Sequence, residues 1–126
     1  MQKRSDSKLV KLNGLRVGID LIEIERFKEI PFHTHESFYR KNFSNNEIDY
    51  CLKFNEPYQH FAGKFAIKEA AKKALEIKLE MSKIQTEYQK SKPTISIPSK
   101  NYDFDVSVSH DGNYAVAIVI AKNKNL

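Results

Sequence analysis

The chain has 126 residues, 40% hydrophobic and 29% charged, with four glycines and four prolines, which is a globular composition of single-domain size. Its formal charge of +5 is uneven: residues 1–17 carry +4, 18–60 carry −3, 61–92 carry +4, and 93–126 balance, a pattern that points to an anionic ligand or partner without saying which. No run approaches the ~20 apolar residues of a membrane span, the basic N-terminus is not followed by the apolar run of a signal peptide, and a lone Cys51 excludes an internal disulfide or a thiolate metal cluster, so a reducing, cytoplasmic setting is expected.

Residues 1–14 read as a polar basic arm, in which Leu9, Val10 and Leu12 suggest a short edge strand before Asn13-Gly14. Residues 15–126 read as one domain. Leu15–Ile22 alternates as a strand, with Val17, Ile19 and Leu21 on one face and Gly18, Asp20 and Ile22 on the other. A helix is expected from Glu23 to Glu29, with Ile24 and Phe27 inward and Pro31 ending it. Ser44-Asn45-Asn46-Glu47 is a capping box ahead of a short helix through Phe54. His60–Met81 carries the strongest helix signal, rich in Ala, Lys, Glu and Leu. Residues 83–89 and Thr94–Ile97 read as strands around a Lys90–Pro93 turn. The last element is a hairpin: Asp105–His110, a turn at Asp111-Gly112, and Asn113–Ala121. A two-residue turn there pairs His110 with Asn113 and Val108 with Ala115, and the wholly apolar end of the second arm marks a central strand. The expected fold is α+β: a small antiparallel sheet packed with one long central helix and shorter helices.

On the 60–81 helix, Ala62, Ala66, Ala70, Ala74 and Ile77 form an apolar arc, and Lys64, Lys68 and Lys72 fall on the far side, toward water. Glu69 and Lys73 fall inside the arc, four residues apart. The plain reading is an intrahelical ion pair. The sharper one is a cleft in which the carboxylate holds a divalent metal and the ammonium neutralises phosphate. Asp20, an acid on an apolar strand, is a second hard ligand for the same Mg²⁺, or else a cap for the following helix. His110 stands at a strand end, where an imidazole acts as acid, base or phosphate contact, or has no role at all. His33 and His35 lack the flanking ligands of a zinc site and read as surface; Cys51 reads as structural.

Three motifs resemble one family. Gly18–Arg26, Phe61–Leu75, and Val108-Ser109-His110 followed by Tyr114–Val119 are similar to the three signatures of holo-acyl-carrier-protein synthase, the small bacterial type of 4′-phosphopantetheinyl transferase, and Phe38–Ser44 with Glu47 follows its pattern between the first two. The resemblance covers about residues 15–121. It implies transfer of the phosphopantetheine arm of coenzyme A to a serine of an apo acyl carrier protein, with adenosine 3′,5′-bisphosphate as the other product. By motif, Asp20 and Glu69 hold Mg²⁺, Lys73 lies over the coenzyme A phosphates, and His110 sits near the nucleotide. Glu69, Lys73 and His110 carry the catalytic roles, with Glu69 as a base acting directly or through water. Lys92-Pro93 resembles the family's basic-Pro turn near the 3′-phosphate; Arg26, and with it Arg40 and Lys41, would meet the acidic carrier. The resemblance also implies a homotrimer with sites between subunits and a usual setting in fatty-acid synthesis. Three positions depart from the pattern: Lys64 where Arg is usual, Glu76-Ile77-Lys78 where a Gly-rich stretch follows the helix, and Ser91 before Lys92. The competing readings are a non-catalytic carrier- or nucleotide-binding module on the same fold and a small RNA-binding protein. The latter lacks an RNP-like motif or GxxG clamp, and neither nucleic acid nor membrane is expected as a partner.

Overall fold

The computed structural model describes residues 14–98 and 101–125. All of the expected N-terminal arm except Gly14 lies outside these residues. In chain order the elements are β1 (Leu15–Glu23), α1 (Glu25–Lys28), a 3₁₀ turn (Phe32–Thr34), α2 (Glu36–Asn42), α3 (Asn45–Leu52), α4 (Pro57–Leu75), a second 3₁₀ turn (Met81–Lys83), β2 (Gln85–Gln89), β3 (Lys92–Ser96), β4 (Tyr102–Asp111) and β5 (Tyr114–Asn123). Antiparallel β1, β5 and β4 form one sheet with the apolar β5 at its centre, and β2–β3 form a separate hairpin. The α+β expectation holds.

Helix α4 lies across the sheet, and the contact is set by small residues. A Cβ placed on Gly18 would lie 2.0 Å from the Ala70 carbonyl oxygen and 2.7 Å from the Ala74 nitrogen. Glycine on the strand and alanines on the helix thus allow close backbone approach. The helix-facing side of β1 is therefore Gly18, Asp20 and Ile22. The opposite row, Val17, Ile19 and Leu21, is 63%, 59% and 63% exposed. On its other flank α4 meets α2, α3 and an aromatic cluster of Phe27, Tyr39, Phe43 and Phe61, with rings 4.7 Å apart at Tyr39–Phe61 and 5.1 Å at Phe43–Phe61. Burial of each such ring contributes about 2 kcal/mol.

This second contact overturns one expectation. Lys64 and Lys68 do not face water: they are 3% and 0% exposed. A helix wheel assumes one wet face, but α4 is sandwiched, so both faces are dry. The glutamate of the capping box supplies what Lys68 needs. Glu47 Oε1 accepts from the Ser44 amide at 2.9 Å and from Lys68 Nζ at 2.6 Å, and Oε2 accepts from the Thr86 amide at 2.7 Å and the Thr86 hydroxyl at 2.6 Å. Lys68 also donates to the Asn42 and Met81 carbonyls. Lys64 donates to the Thr86 hydroxyl and carbonyl and lies over the rings of Tyr50 and Tyr88. A buried charge is tolerated when it is paired and its hydrogen bonds are satisfied.

Several boundaries also move. Helix α4 begins at Pro57, where proline suits the first turn, and stops at Leu75, because Glu76 takes the left-handed conformation (φ 54°, ψ 45°). Strand β1 runs to Glu23, leaving α1 only four residues, and a helix forms at Glu36–Asn42 where none was expected. In the last hairpin His110 pairs with Ala115 and Asp111 with Tyr114, so the turn is Gly112-Asn113 and not Asp111-Gly112. Of the two turn residues only Gly112 has positive φ, as a type II′ turn asks of its first position. In β2–β3 the turn is Lys90-Ser91, both at positive φ. Lys92 and Pro93 are not in a turn: they open β3, paired with Gln89 and Tyr88.

Candidate functional site

The close approach at Gly18 brings β1 and α4 within side-chain reach of each other. Gly18 faces Ala70 and Ala74, and Phe27 beyond the strand faces Phe65, so the two elements run in opposite directions. Asp20 therefore lies at the level of the helical turn that holds Glu69. Lys73 Nζ donates to Asp20 Oδ1 at 3.0 Å and to the Ile19 carbonyl at 3.1 Å. Its ion pair is with Asp20 and not with Glu69, which overturns the intrahelical pair. Asp20 also does not cap α1. That role falls to Asn113, whose Oδ1 accepts from the Glu25 amide at 2.8 Å.

Asp20 and Lys73 thus meet between β1 and α4, and Glu69 is half-buried four residues before Lys73 on the same helix. Asp20 is only 16% exposed and its carboxylate is already satisfied by a cation, so the locus favours positive charge. Two hard carboxylates from separate elements fit Mg²⁺, which keeps most of its shell for water and substrate phosphates. No cluster of three or more His, Cys, Asp or Glu occurs among the described residues, so an all-protein metal cage is not built here.

His110 stands apart from this group. Its Nε2 is 3.0 Å from the Gln59 carbonyl, which only accepts, so Nε2 carries the proton and Nδ1 is left as an acceptor when the ring is neutral. A Cβ on Gly63 would lie 3.1 Å from this nitrogen, so glycine there makes room for the imidazole. Gly63 and Lys73 are ten residues apart on α4, about 15 Å along the axis. His60 lies beside His110, with ring centroids 6.3 Å apart, and stacks on Phe54. Burial, and then His110 and Lys64, hold its pKa below the ordinary value. Sequence reading gave His60 no role, and no motif marked it.

The remaining candidates scatter further. Lys92 Nζ is held by Asp105 at 3.0 Å and by the Val106 carbonyl, on the outer strand β4. Arg26 is exposed on α1. Arg40 is engaged by Glu36, by Asn45 Oδ1 at 2.9 Å and by the Phe32 ring; Lys41 is exposed beside it. His33 and His35 are exposed. Cys51 is fully buried, its thiol pushed up to about 12 chiefly by that burial, which makes it unreactive. No helix of the described residues is long and apolar enough to cross a membrane.

The chain is similar to known proteins in sequence and in fold. Residues 16–119 match the 4′-phosphopantetheinyl transferase superfamily. A holo-[acyl-carrier-protein] synthase of Thermodesulfovibrio yellowstonii is 36% identical over 107 residues, covering 82% of this chain and 95% of the relative. One from Mycoplasma capricolum is 38% identical over 114 residues, covering 86% and 96%. The crystal structure of the Helicobacter pylori synthase in complex with coenzyme A superposes with a TM-score of 0.74 at 30% identity, covering 84% of this chain and 99% of that one. The Bacillus anthracis synthase, in complex with coenzyme A (3′,5′-ADP), gives 0.76 at 25% identity, covering 86% and 96%. The chain belongs to the 4′-phosphopantetheinyl transferase superfamily and, within it, to the holo-[acyl-carrier-protein] synthases.

Proposed function

We propose that the chain transfers the 4′-phosphopantetheine group of coenzyme A to a serine hydroxyl of an apo acyl carrier protein, releasing adenosine 3′,5′-bisphosphate. The observation that carries this reading is the meeting of Asp20 and Lys73 across the Gly18 contact, at the level of Glu69. The serine oxygen forms a bond to the β-phosphorus, the bond from that phosphorus to the bridging oxygen breaks, and the bisphosphate leaves with the electron pair. Mg²⁺, held by Asp20 and Glu69, supplies charge neutralisation of the diphosphate when bound. Lys73 is already oriented by Asp20 and the Ile19 carbonyl, and adds a fixed positive charge where negative charge grows on the leaving group. Glu69 takes the serine proton, directly or through water. His110 contacts the nucleotide, with Lys92 and Pro93 at its phosphate end. Arg26, Arg40 and Lys41 meet the acidic carrier.

The active unit in this reading is a homotrimer with sites between subunits. It is supported by the apolar outer row of β1 and β5, where Val17, Ile19, Leu21, Ile118 and Ile120 are all at least 37% exposed. It is also supported by the distance of His110 from Lys73 within one chain, which leaves each cluster as one wall of a site. Intact-mass measurement of apo carrier incubated with the protein, coenzyme A and Mg²⁺ tests the activity. One added phosphopantetheine, abolished by EDTA and by Glu69→Gln, is expected. Coenzyme A binding without transfer to any of several apo carriers would leave only a binding module.

A further inference from the structure

A second cation lies along the same strand face. The cleft between the start of β1 and the last turn of α4 has a volume of about 440 Å³ and is lined by Gly14, Arg16, Lys73, Glu76, Tyr102 and Asn123, among others. Arg16, Gly18 and Asp20 follow one another on the helix-facing side of β1. Opposite them, running the other way, α4 presents Lys73 and, just past its end, Glu76. Two ion pairs cross the gap: Lys73 to Asp20 at 3.0 Å and Arg16 Nη1 to Glu76 Oε2 at 3.2 Å.

The pairs are unequal. Asp20 is largely buried and Lys73 has a second acceptor in the Ile19 carbonyl. The Arg16 and Glu76 side chains are 46% and 78% exposed and joined by a single contact, so this pair is weak, screened by salt and open to exchange. Glu76 keeps its place against backbone preference, in a left-handed cap position that favours glycine. A carboxylate thus stands against a guanidinium, in a strained conformation, at the mouth of a cleft whose other cation is Lys73.

We propose that Arg16 is a second phosphate-binding cation of this cleft and that Glu76 is its built-in competitor, displaced from Arg16 when a phosphate of coenzyme A enters. The proposal rests on the reading of coenzyme A as donor substrate. The planar fork of a guanidinium pairs with two phosphate oxygens at once, an arrangement its single 3.2 Å contact to Glu76 does not use. A ligand with more than one phosphate then engages Lys73 and Arg16 together, while the Glu76 carboxylate, near the negative end of α4, opposes its entry.

Calorimetric titration of the full chain with coenzyme A and, separately, with inorganic pyrophosphate tests this. Glu76→Gln keeps the backbone and removes the charge; binding of both ligands should tighten about two- to fivefold, the scale of an exposed ion pair. Arg16→Gln should weaken binding by a similar factor and shrink the gain from Glu76→Gln in the double variant, because the competition for the guanidinium is gone and only the direct repulsion of phosphate is left. Both positions are exposed, so folding is not at risk. Unchanged affinities in both variants, with coenzyme A still bound by the unsubstituted chain, would overturn the proposal and leave the transferase reading intact. If the unsubstituted chain bound pyrophosphate but not coenzyme A, the donor-substrate reading would fall, and the pyrophosphate affinities of the two variants would decide the role of Arg16.

Discussion

Glu76 and Gly18 mark two ends of one helix–strand contact and make opposite demands on the backbone. Gly18 is glycine because a Cβ would strike the Ala70 carbonyl, whereas Glu76 is a side-chain-bearing residue at φ 54°, where glycine is at ease. Replacing Glu76 by glycine should therefore stabilise the fold by about 0.5–1 kcal/mol, the relief of left-handed strain less a weak surface pair and the added entropy of the unfolded chain. A urea midpoint that falls instead would mean that the Arg16 contact outweighs the strain. His60 has a pH signature. Its pKa lies below the ordinary 6.5, first through burial and then through His110 and Lys64. The unfolded chain thus takes up a proton that the folded ring resists. The stability from neutral His60 is present above pH 6.5 and is lost as pH falls from there through the lower folded value. The melting temperature should fall between pH 7.5 and 5.5, and His60→Phe, which keeps the stack on Phe54, should fall less. Equal slopes in the two proteins would remove His60 from the account.

At the level of elements, the Glu47 carboxylate is where α3, α4 and β2 meet, and Lys68 extends the junction to the end of α2 and the second 3₁₀ turn. This junction sets the rotation of α4 about its axis, and with it the direction of Glu69 and Lys73. Lys68→Met leaves a buried carboxylate without its counter-charge and should cost about 3 kcal/mol or more. Lys68→Met with Glu47→Gln should cost clearly less than the two single losses added, because the second change removes the stranded charge. Additive losses in urea unfolding would show that the two residues act separately. Half of this junction was legible in sequence. Ser44 and Glu47 announced a helix start by their spacing, and both capping bonds form. The burial of Lys64 and Lys68 was not legible, because their partners come from residues about 20 positions away, which a wheel drawn on one helix cannot include. The end of α4 was hidden for a related reason: Glu76–Glu80 are good helix formers, and only the left-handed turn at Glu76 ends the helix. The last hairpin was readable in kind but not in register, since Asp111-Gly112 and Gly112-Asn113 are both acceptable turn pairs. Asp20 and Lys73 stood out as charges on apolar faces, and they do meet. Nothing in the spacing set the Lys92 ammonium of β3 against Asp105 of β4 or separated His110 from Lys73.

On the scale of the whole molecule, the alternation of β1 has an unexpected outcome. The row of larger side chains, Val17, Ile19 and Leu21, points away from α4, while Gly18 and Asp20 share the side that packs on the helix. Strand β5 repeats this, with Ala115, Ala117, Val119 and Ala121 buried and Ile118 and Ile120 exposed. The register sets Ile19 opposite Ile118 and Val17 opposite Ile120, so the exposed side chains form one continuous apolar surface across two strands. A surface of that kind on a small chain calls for cover, and copies of the same chain meeting through it would provide cover by symmetry. In the proposed trimer the particle has about three times the 14.6 kDa of one chain. Ile19→Asp sets a carboxylate in the middle of the surface without touching the core side of β1. Sedimentation should then find a single chain that melts cooperatively, and carrier modification should be lost with the assembly. A trimer that survives this substitution would place the subunit contact elsewhere. A single-chain variant that kept full activity would show that one chain holds the whole site, despite the distance between His110 and Lys73.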